Sequence, residues 1–391
     1  MRDVVIVAAK RTAVGKFGGS LKDTTPVEMG VAVVKAALEE KSIAPDTIDH
    51  VILGNVFAAG YGQNIARQVQ INAGIPQEKC SFNVSKVCGS GLKAVMLGAQ
   101  SIQTDEADIV VAGGTEAMSG AAYLSMTNRF GAKLGSVEFK DSMLVDGLTD
   151  AFSGIHMGIT AENLARKYGI SREEQDAYAA QSQQRARAAI EAGRFVDEIV
   201  PITVGRGKRA KEFAVDEFPR PDTTAESLSG LPPAFEKEGS VTAGNASGLN
   251  DGAAVVLLMS KEKAKDLGIA PLATIKSYAS AGVDPAYMGY APVPATEKAL
   301  AKAGLSVADL DLSEANEAFA AQALSVMKGL GLNPETTNVN GGAISLGHPI
   351  GCSGARILVT LLHELKKREG RYGLATLCIG GGQGVSMVVE R

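Results

Sequence analysis

Tryptophan is absent from this chain of 391 residues, and aromatic residues of all kinds make up only 5% of it. Proteins that hold single-stranded nucleic acids stack the bases on aromatic side chains, so this kind of binding is not indicated. The formal net charge of −4 also disfavours nucleic acid or an anionic membrane as a general partner. Glycine is abundant instead, with 45 residues, which suits tight turns between strands and helices.

Cysteine is scarce, and the four that occur, Cys80, Cys88, Cys352 and Cys378, show no close-paired spacing. Close pairs such as Cys-x-x-Cys are typical of metal sites and redox dithiols, so we expect neither here. The density is also too low for a disulfide scaffold. We therefore expect reduced thiols in a cytoplasmic protein without a metal.

No apolar run in the chain has the length of a membrane span. The run at residues 4–9 is bounded by charges and is far too short for a signal or membrane segment, so it predicts a buried strand. Hydrophobic residues make up 45% of the chain and charged residues 21%. This composition is that of a globular protein, and the length allows two or more domains with full cores.

Apolar runs and helical stretches alternate through the first part of the chain. Strands are predicted at residues 4–9, 50–56 and 108–112, and helices at 25–40, 64–73 and 92–104. The alternation predicts an α/β layered domain with a largely parallel sheet.

The alternation is lost between residues 119 and 244. This portion holds one predicted helical stretch, 160–191, and a segment from 218 to 239 that is punctuated by proline and glycine. Its basic cluster, Arg206, Lys208, Arg209 and Lys211, is either a solvated face or a phosphate contact. Insertions over a rigid sheet usually carry recognition, so we expect this portion to contact a ligand.

The second part of the chain repeats the pattern of the first. Strands are predicted at 252–259, 273–280, 310–314 and 374–379, and helices at 293–303, 318–329 and 355–367. The segment Ile350-Gly351-Cys352-Ser353-Gly354 echoes Val87-Cys88-Gly89-Ser90-Gly91, and each precedes a predicted helix. The apolar run 374–379 before Gly380-Gly381-Gly382 likewise echoes the run 109–112 before Gly113-Gly114. The two echoes occur in the same order, so we infer an internal duplication with an insertion in the first half.

Cys88 stands at a predicted corner between a strand and a helix. A helix N-terminus carries unpaired N–H groups and partial positive charge, which stabilise a thiolate. Cys88 is therefore a candidate nucleophile, although an inert buried cysteine is the commoner case. Gly89 and Gly91 favour the nucleophile, because removal of side chains on both sides of a serine indicates that something approaches this backbone closely.

Two further residues have the surroundings of catalytic groups. His348 lies between Gly347 and Pro349, so its imidazole is presented from a turn, and Cys378 ends a strand just before three glycines. A lone histidine or a strand thiol is more often structural. Together with Cys88, however, they indicate thiol chemistry that needs a nucleophile and a base.

Several motifs, in this order along the chain, resemble those of the thiolase family. They are VCGSGLKA around Cys88, GGTE at 113–116, NEAF at 316–319, NVNGGAISLGHPIGCSG at 338–354 and LCIGGGQG around Cys378. The resemblance extends from Met1 to Arg391 and is closest to the bacterial biosynthetic branch. It implies an α/β thiolase fold of two duplicated βαβαβαββ halves, layered αβαβα, with an inserted loop domain.

The resemblance also implies the activity and the roles of the catalytic residues. The expected reaction is an acetyl-CoA C-acetyltransferase reaction, a reversible Claisen condensation of two acetyl-CoA molecules to acetoacetyl-CoA and CoA. Cys88 would carry the acyl group, His348 would activate it, and Cys378 would act as acid and base. Asn316 would hold a water that makes one oxyanion hole with His348, and the N–H groups of Cys88 and Gly380 would make the other.

Substrate contacts and assembly are implied in the same way. The expected coenzyme A contacts are His156, Met157, Arg220, Ser227, Phe235, Ala243, Ser247, Met288, Ala318 and Phe319. Arg220 would meet phosphate, and Met157 and Met288 would narrow the acyl pocket. Acetyl-CoA, acetoacetyl-CoA and CoA are expected as substrates and products without a separate cofactor. The expected assembly is a homotetramer, a dimer of dimers joined near residues 125–141.

The implied division of the chain follows the duplication. Residues 1–118, completed by 245–270, would form the N-terminal half, 119–244 the loop domain, and 271–391 the C-terminal half. Two positions depart from the family pattern, because Ser85 stands where asparagine is usual and Cys352 where alanine or glycine is usual.

Three other functions remain open at this stage. A degradative 3-ketoacyl-CoA thiolase of broader chain length would use the same residues. A fatty-acid condensing enzyme usually pairs one cysteine with two histidines, or with histidine and asparagine, and is disfavoured by Cys378. A non-catalytic acyl-CoA or lipid carrier on the same frame would not need both thiols and His348.

Overall fold

The computed structural model describes residues 2–205 and 207–391. The strands are β1 Val4–Thr12, β2 Gly15–Lys16, β3 His50–Gly54, β4 Cys80–Val84, β5 Ile109–Ala117, β6 Tyr123–Leu124, β7 Lys140–Asp141, β8 Ile199–Val200, β9 Ile202–Val204, β10 Lys211–Phe213, β11 Asn250–Ser260, β12 Ala273–Gly282, β13 Leu312–Ala315, β14 Tyr372–Ile379 and β15 Gln383–Glu390. The helices are α1 Pro26–Glu40, α2 Ile65–Asn72, α3 Ser90–Gln103, α4 Met157–Tyr168, α5 Arg172–Glu191, α6 Ala225–Ser229, α7 Lys261–Asp266, α8 Pro292–Ala303, α9 Ala320–Leu330, α10 Ala343–Leu346 and α11 Ile350–Arg368.

The large sheet consists of two halves with the same strand pattern. Its order is β13-β14-β15-β12-β1-β11-β5-β3-β4, and β12 joins β1 through only two residue pairs, Val5 with Thr274 and Ile6 with Ala273. In one half β3 and β5 are parallel, and β11 and β1 follow antiparallel. In the other, β13 and β14 are parallel, and β15 and β12 follow antiparallel. This agreement confirms the predicted duplication.

The prediction of a largely parallel sheet is wrong. Each half returns through an antiparallel strand, and β15 follows β14 after only the turn of Gly380, Gly381 and Gly382. Gly381 and Gly382 both have a φ of +82°, a conformation that side chains strongly disfavour. The glycine run therefore makes a tight reversal, and β14 and β15 form a hairpin.

The helices and the two sheet halves stack in five layers, three of helices and two of strands. One core lies around α3 and α11, where Leu92 and Leu358 meet residues of both sheet halves such as Ile52 and Leu377. A second core lies on the other face of the first half, under α1 and α2. A third, under α8 and α9, covers the other face of the second half. The αβαβα layering is confirmed, with α3 and α11 in the middle layer.

Local sequence signals set most helix boundaries. Helix α1 starts at Pro26 as predicted, because Thr25 and Glu28 form a reciprocal capping box. The single helix predicted at 160–191 is in fact α4 and α5. Gly169 ends α4 with a φ of +60°, and Ser171 caps α5.

The start of α11 also differs from the prediction. The helix begins at Ile350, five residues before the predicted start, so the glycine-rich segment 350–354 is its first turn and no loop. This turn lacks long side chains that would mark it as helical in the sequence, and tertiary packing decides its conformation.

The segment between β5 and β11 forms small elements of its own. Strands β6 and β7 pair with each other, as do β9 and β10, outside the large sheet. Lys208, Arg209 and Lys211 of the basic cluster are exposed at the turn and strand of the β9–β10 hairpin, whereas Arg206 lies outside the described residues. The predicted domain boundaries stay predictions. Among the residues described, no helix combines the length and apolar character needed to cross a membrane.

Candidate active site

Cys88 lies in a strained turn between β4 and α3. The preceding residue, Val87, has a φ of +45°, which is rare for a β-branched side chain and indicates stored strain. Ser90 closes the turn, because its hydroxyl donates to the Val87 carbonyl at 2.7 Å and accepts from the Lys86 N–H at 2.8 Å. Cys88 is part-buried and directly precedes Gly89, the N-cap residue of α3. The turn holds the thiol beside a helix N-terminus.

The close approach inferred from the glycines is made by the protein itself. A Cβ atom on Gly91 would lie 3.0 Å from the Gly351 carbonyl oxygen, and one on Gly114 only 2.1 Å from the same atom. A Cβ on Gly89 would lie 2.3 Å from Ile379. Side chains at these positions would separate the first turns of α3 and α11. The glycines therefore let two helix N-termini converge at Cys88 and at the turn before α11.

His348 lies in that second turn, with its side chain buried. Its Nδ1 is 2.6 Å from the Ser353 hydroxyl, and the same hydroxyl donates to the Pro349 carbonyl at 2.8 Å. Because the Ser353 proton is used in this way, Nδ1–H must be the donor to Ser353, which leaves Nε2 as the basic nitrogen. Nε2 has no hydrogen-bond partner among the described residues. Burial, and then the nearby Arg356 guanidinium, lower the pKa of His348 to about 4, so the imidazole is neutral near pH 7.

Two backbone N–H groups point at the Cys88 sulfur. Burial raises the pKa of the Cys88 thiol to about 11, and the N–H groups of Gly380 and of Cys88 itself oppose this shift. A negative charge in this position would meet two preorganised donors. The structure therefore brings Gly380, from the β14–β15 turn, against the thiol, as the expected oxyanion hole requires.

Cys378, the second thiol, is buried at the end of β14. Burial raises its pKa, and negative charge on the neighbouring Cys88 would raise it further. Both thiols are therefore protonated in the resting protein at neutral pH, and each needs a base or a developing charge to act.

Asn316 supplies a buried amide at the end of β13. Its side chain is 1% exposed, and neither its oxygen nor its nitrogen has a partner among the described residues. Buried amides are normally hydrogen-bonded, so this one is suited to a ligand or an ordered water. The backbone N–H of Asn316 donates to the Thr376 carbonyl of β14 at 3.0 Å. Thr376 is two residues before Cys378 on that strand, so the bond places Asn316 close to the second thiol.

An apolar cluster surrounds Cys378. It unites five of the residues expected to contact substrate, with Val241 and several alanines: Met157, Phe235, Met288, Ala318 and Phe319. His156 stacks on Phe235 with ring centroids 4.7 Å apart, and Phe235 meets Phe319 edge to face. The structure thus collects these side chains from five separate segments of the chain.

The other expected contacts lie outside this cluster. Arg220, Ser227 and Ala243 are exposed. Ser247 is part-buried and its N–H donates to the Ala318 carbonyl at 3.0 Å, which ties its loop to the cluster. Exposed positions next to an apolar cavity are where the polar end of a long ligand would lie, but no contact of Arg220 identifies its ligand.

Three residues that shape the site were not predicted from the sequence. The strain at Val87 has no sequence signal. Ser353 could have been found from its position at the start of the helix after His348. Glu116 was noticed only as part of a motif, yet it is buried and hydrogen-bonded to the first turn of α11 at Gly351. Of the two departures, Ser85 is exposed beside Val87, and Cys352 is buried in the middle layer.

Known proteins resemble the chain over its whole length. The thiolase N-terminal domain model matches residues 4–262, and the thiolase C-terminal domain model matches 269–391. The acetyl-CoA acetyltransferase of Pseudomonas aeruginosa is 60% identical, with 100% of both chains covered. The structure of the Bacillus anthracis acetyl-CoA acetyltransferase is 50% identical, with a TM-score of 0.98, and the match covers 100% of this chain and 99% of that one. Human mitochondrial 3-ketoacyl-CoA thiolase in complex with CoA is 49% identical, with a TM-score of 0.96 and coverage of 100% and 98%.

Replacing Ser353 with alanine tests the assignment of the basic nitrogen of His348. Without the hydroxyl, Nδ1–H loses its acceptor and the imidazole loses its fixed orientation. We expect kcat on a CoA thioester to fall about 10- to 100-fold, the usual effect of removing a group that orients a catalytic histidine. KM should change little. Ser101→Ala, which removes a hydroxyl bonded only within α3, is the control and should keep full activity. Full activity of Ser353→Ala would refute the assignment.

Proposed function

The chain belongs to the thiolase family, and from that premise we propose that it is an acetyl-CoA C-acetyltransferase. It joins two molecules of acetyl-CoA to give acetoacetyl-CoA and CoA, and it catalyses the reverse cleavage. The observation that carries the proposal is the meeting of Cys88, Cys378 and the Gly380 N–H beside the apolar cluster that contains Met157 and Met288.

The first half-reaction transfers an acetyl group to Cys88. Nε2 of His348 takes the thiol proton as the sulfur attacks the thioester carbonyl. The negative charge on the carbonyl oxygen is held by hydrogen-bond donors of the site until the bond to the CoA sulfur breaks. The leaving CoA thiolate takes the proton from His348, so the products are acetyl-Cys88 and CoA. His348 is neutral before the reaction because burial lowers its pKa, so the lone pair of Nε2 is free to take the proton.

The second half-reaction forms the carbon–carbon bond. Nε2 of His348, neutral again after CoA leaves, takes the proton of Cys378. The resulting Cys378 thiolate removes the α-proton of a second acetyl-CoA, whose enolate oxygen is stabilised by protonated His348 and a water held by Asn316. The enolate carbon attacks acetyl-Cys88, and the N–H groups of Cys88 and Gly380 hold the oxyanion. Release of the Cys88 sulfur gives acetoacetyl-CoA, and His348 returns its proton to the Cys88 thiolate, so that both thiols are protonated again. No metal or separate cofactor is needed, because a thioester α-proton is acidic enough for a thiolate.

Substrate length is limited by the two methionines of the pocket. Met157 and Met288 are 5% and 3% exposed and lie in the same cluster as Cys378. Met157 also separates that cluster from a cavity of about 430 Å³ that is lined by Val87, Gly380 and the 145–151 segment. With Met157 in place, a two-carbon acyl group fits better than a long chain.

We further propose that the loop domain, residues 119–244, binds the CoA moiety and that Arg220 contacts its phosphates. An exposed guanidinium is suited to this role because its planar fork binds phosphate through paired hydrogen bonds. His156 and Phe235, stacked on each other, would line the channel for the pantetheine arm. We place the protein in the cytoplasm, because its four free thiols fit a reducing compartment.

A homotetramer is the assembly that we propose. The segment 123–152 exposes a series of large apolar side chains, which monomeric proteins rarely display together. They are Tyr123, Met126, Phe130, Leu134, Phe139, Leu144, Val145 and Phe152. Contact between dimers through this segment would bury them.

Cleavage of acetoacetyl-CoA compared with that of a long-chain 3-ketoacyl-CoA tests the proposed specificity. We expect a strong preference for acetoacetyl-CoA. Met157→Ala should raise kcat/KM for the longer substrate about tenfold or more, because the pocket then opens into the neighbouring cavity and each added methylene contributes about 0.8 kcal/mol on burial. Met327→Ala on α9, outside the pocket, is the control. Efficient long-chain cleavage by the unmodified protein would assign it to the degradative 3-ketoacyl-CoA thiolases instead.

Cys378→Ala separates the two half-reactions. This variant keeps the nucleophile and His348, so acetyl-CoA should still acetylate Cys88. Condensation should fall by about 10³-fold or more, because the group that removes the α-proton is missing. Intact-protein mass spectrometry detects the acetyl group, and a coupled assay follows acetoacetyl-CoA. A variant that neither accepts acetyl nor condenses would contradict this division of roles.

Leu134→Asp tests the assembly. Leu134 is 98% exposed, and a charge there should be tolerated by the single chain but not by a buried contact. Sedimentation should show a tetramer for the unmodified protein and dimers for the variant. Val196→Asp, another exposed apolar residue outside the segment, should leave the tetramer intact. A monomer or dimer before any substitution would refute the tetramer.

A further inference from the structure

Glu116 joins three separate parts of the site through its buried carboxylate. Its side chain is at the end of β5 and is fully buried. Oε1 accepts from the Asn55 side chain at 2.9 Å and from the Phe57 N–H at 3.1 Å. Oε2 accepts from the Val56 N–H at 3.1 Å and from the Gly351 N–H at 2.8 Å. The carboxylate therefore links the loop after β3 to the first turn of α11.

The bond to Gly351 caps a helix that has no side-chain cap of its own. Pro349 is the N-cap residue of α11, and its side chain makes no hydrogen bond to the helix. The first N–H groups of a helix need acceptors, and its dipole favours a negative charge there. Glu116 supplies both from another strand. Because His348 directly precedes Pro349, whatever fixes this turn also fixes the imidazole.

Burial and the neighbouring groups set the pKa of Glu116. Burial raises the pKa of Glu116 to about 7, the N–H groups of Phe57, Gly351 and Val56 oppose this, and Asp251 of β11 reinforces it. The four groups bonded to the carboxyl all donate to it and so stabilise the anion, which predominates above pH 7.

Cys88 is affected by that charge. Negative charge on Glu116 raises the pKa of the Cys88 thiol. The other groups that face Cys88 are Cys378 at the end of β14, the N–H groups of Cys88 and Gly380, and, in the proposed function, His348.

Building on the acyltransferase function proposed above, we propose that Glu116 is a positioning residue for the reaction. Its carboxylate holds the His348 turn to the loop after β3 by hydrogen bonds and so positions the imidazole next to Cys88. Removing the carboxylate has two effects, one on turnover and one on the ionisation of Cys88. Loss of the carboxylate impairs turnover because His348 is displaced, and at the same time it makes the Cys88 thiol easier to ionise because a nearby negative charge is gone.

Glu116→Gln separates these consequences, because the glutamine amide is neutral and its NH₂ group cannot accept from two N–H donors. Turnover of acetoacetyl-CoA and CoA should fall about 10- to 100-fold, as for other groups that orient catalytic residues. Alkylation of Cys88 by iodoacetamide at pH 8 should become roughly threefold faster, which corresponds to about half a pKa unit. Peptide mass spectrometry resolves the cysteines, and the exposed Cys80 should react at an unchanged rate.

Two matched variants accompany this test. Glu198→Gln removes a buried carboxylate that also bonds to α11, at Thr360, but far along the helix, and turnover should stay within about threefold. Gly351→Ala disturbs the hydrogen bond between Gly351 and Glu116 from the α11 side, because the added Cβ would lie 2.5 Å from Glu116 Oε2. Turnover should fall while Cys88 alkylation stays unchanged. This second variant tests the anchor even if Glu116→Gln does not fold.

Either of two results for Glu116→Gln, one for turnover and one for alkylation of Cys88, would overturn the proposal. Turnover of Glu116→Gln within threefold of the unmodified protein would show that no positioning is needed. Alkylation of Cys88 at an unchanged or lower rate would show that the charge of Glu116 does not act on the thiol. The alkylation measurement needs no CoA substrate, so failure to cleave acetoacetyl-CoA would refute the proposed function while the effect of Glu116 on Cys88 is still decided.

Discussion

The close crossing of two helix N-termini is the constraint on which the rest of the site depends. The first turns of α3 and α11 approach each other so closely that neither Gly91 nor Gly354 has room for a Cβ atom, which would lie 2.9 Å from the Ala355 nitrogen in the first case and 2.5 Å from the Leu92 nitrogen in the second. At that distance the Cys88 turn and the His348 turn face one another. A side chain at any of these positions would separate them, so the glycines are required by packing between the two halves of the molecule.

This crossing follows from the duplication. Each half contributes a parallel strand pair and one helix to the middle layer, and the carboxyl ends of the strands deliver Asn316 and Cys378 to the same place. At the end of β5, Glu116 holds the loop after β3 to the first turn of α11 through its hydrogen bonds.

The electrostatics of the site favour neutral groups at rest. Burial raises the pKa of both thiols and lowers that of His348, so each group is uncharged near neutral pH. Charge then appears only as the reaction proceeds, and it appears beside N–H groups that are already in position. Stabilising charge with fixed dipoles requires little reorganisation, which is a major source of catalysis.

Much of this arrangement could be predicted from the sequence, and the remainder could not for physical reasons. The helix α1, the Cys88 corner and the duplication carry local signals, namely a capping box, a glycine-flanked thiol and a repeated segment. The antiparallel return of β15 and the early start of α11 depend on contacts between distant segments. The left-handed conformation of Val87 and the four bonds of Glu116 likewise exist only in the folded chain.

The central claim of this account is that Cys88 carries the acetyl group between the two substrates. The most direct measurement is a brief incubation of the unmodified protein with acetyl-CoA, an acid quench, and peptide mass spectrometry of all four cysteines. The account predicts an acetyl thioester on Cys88 with one equivalent of CoA released per site. An acetyl group on Cys378 instead, or CoA release without any acetylated cysteine, would contradict it.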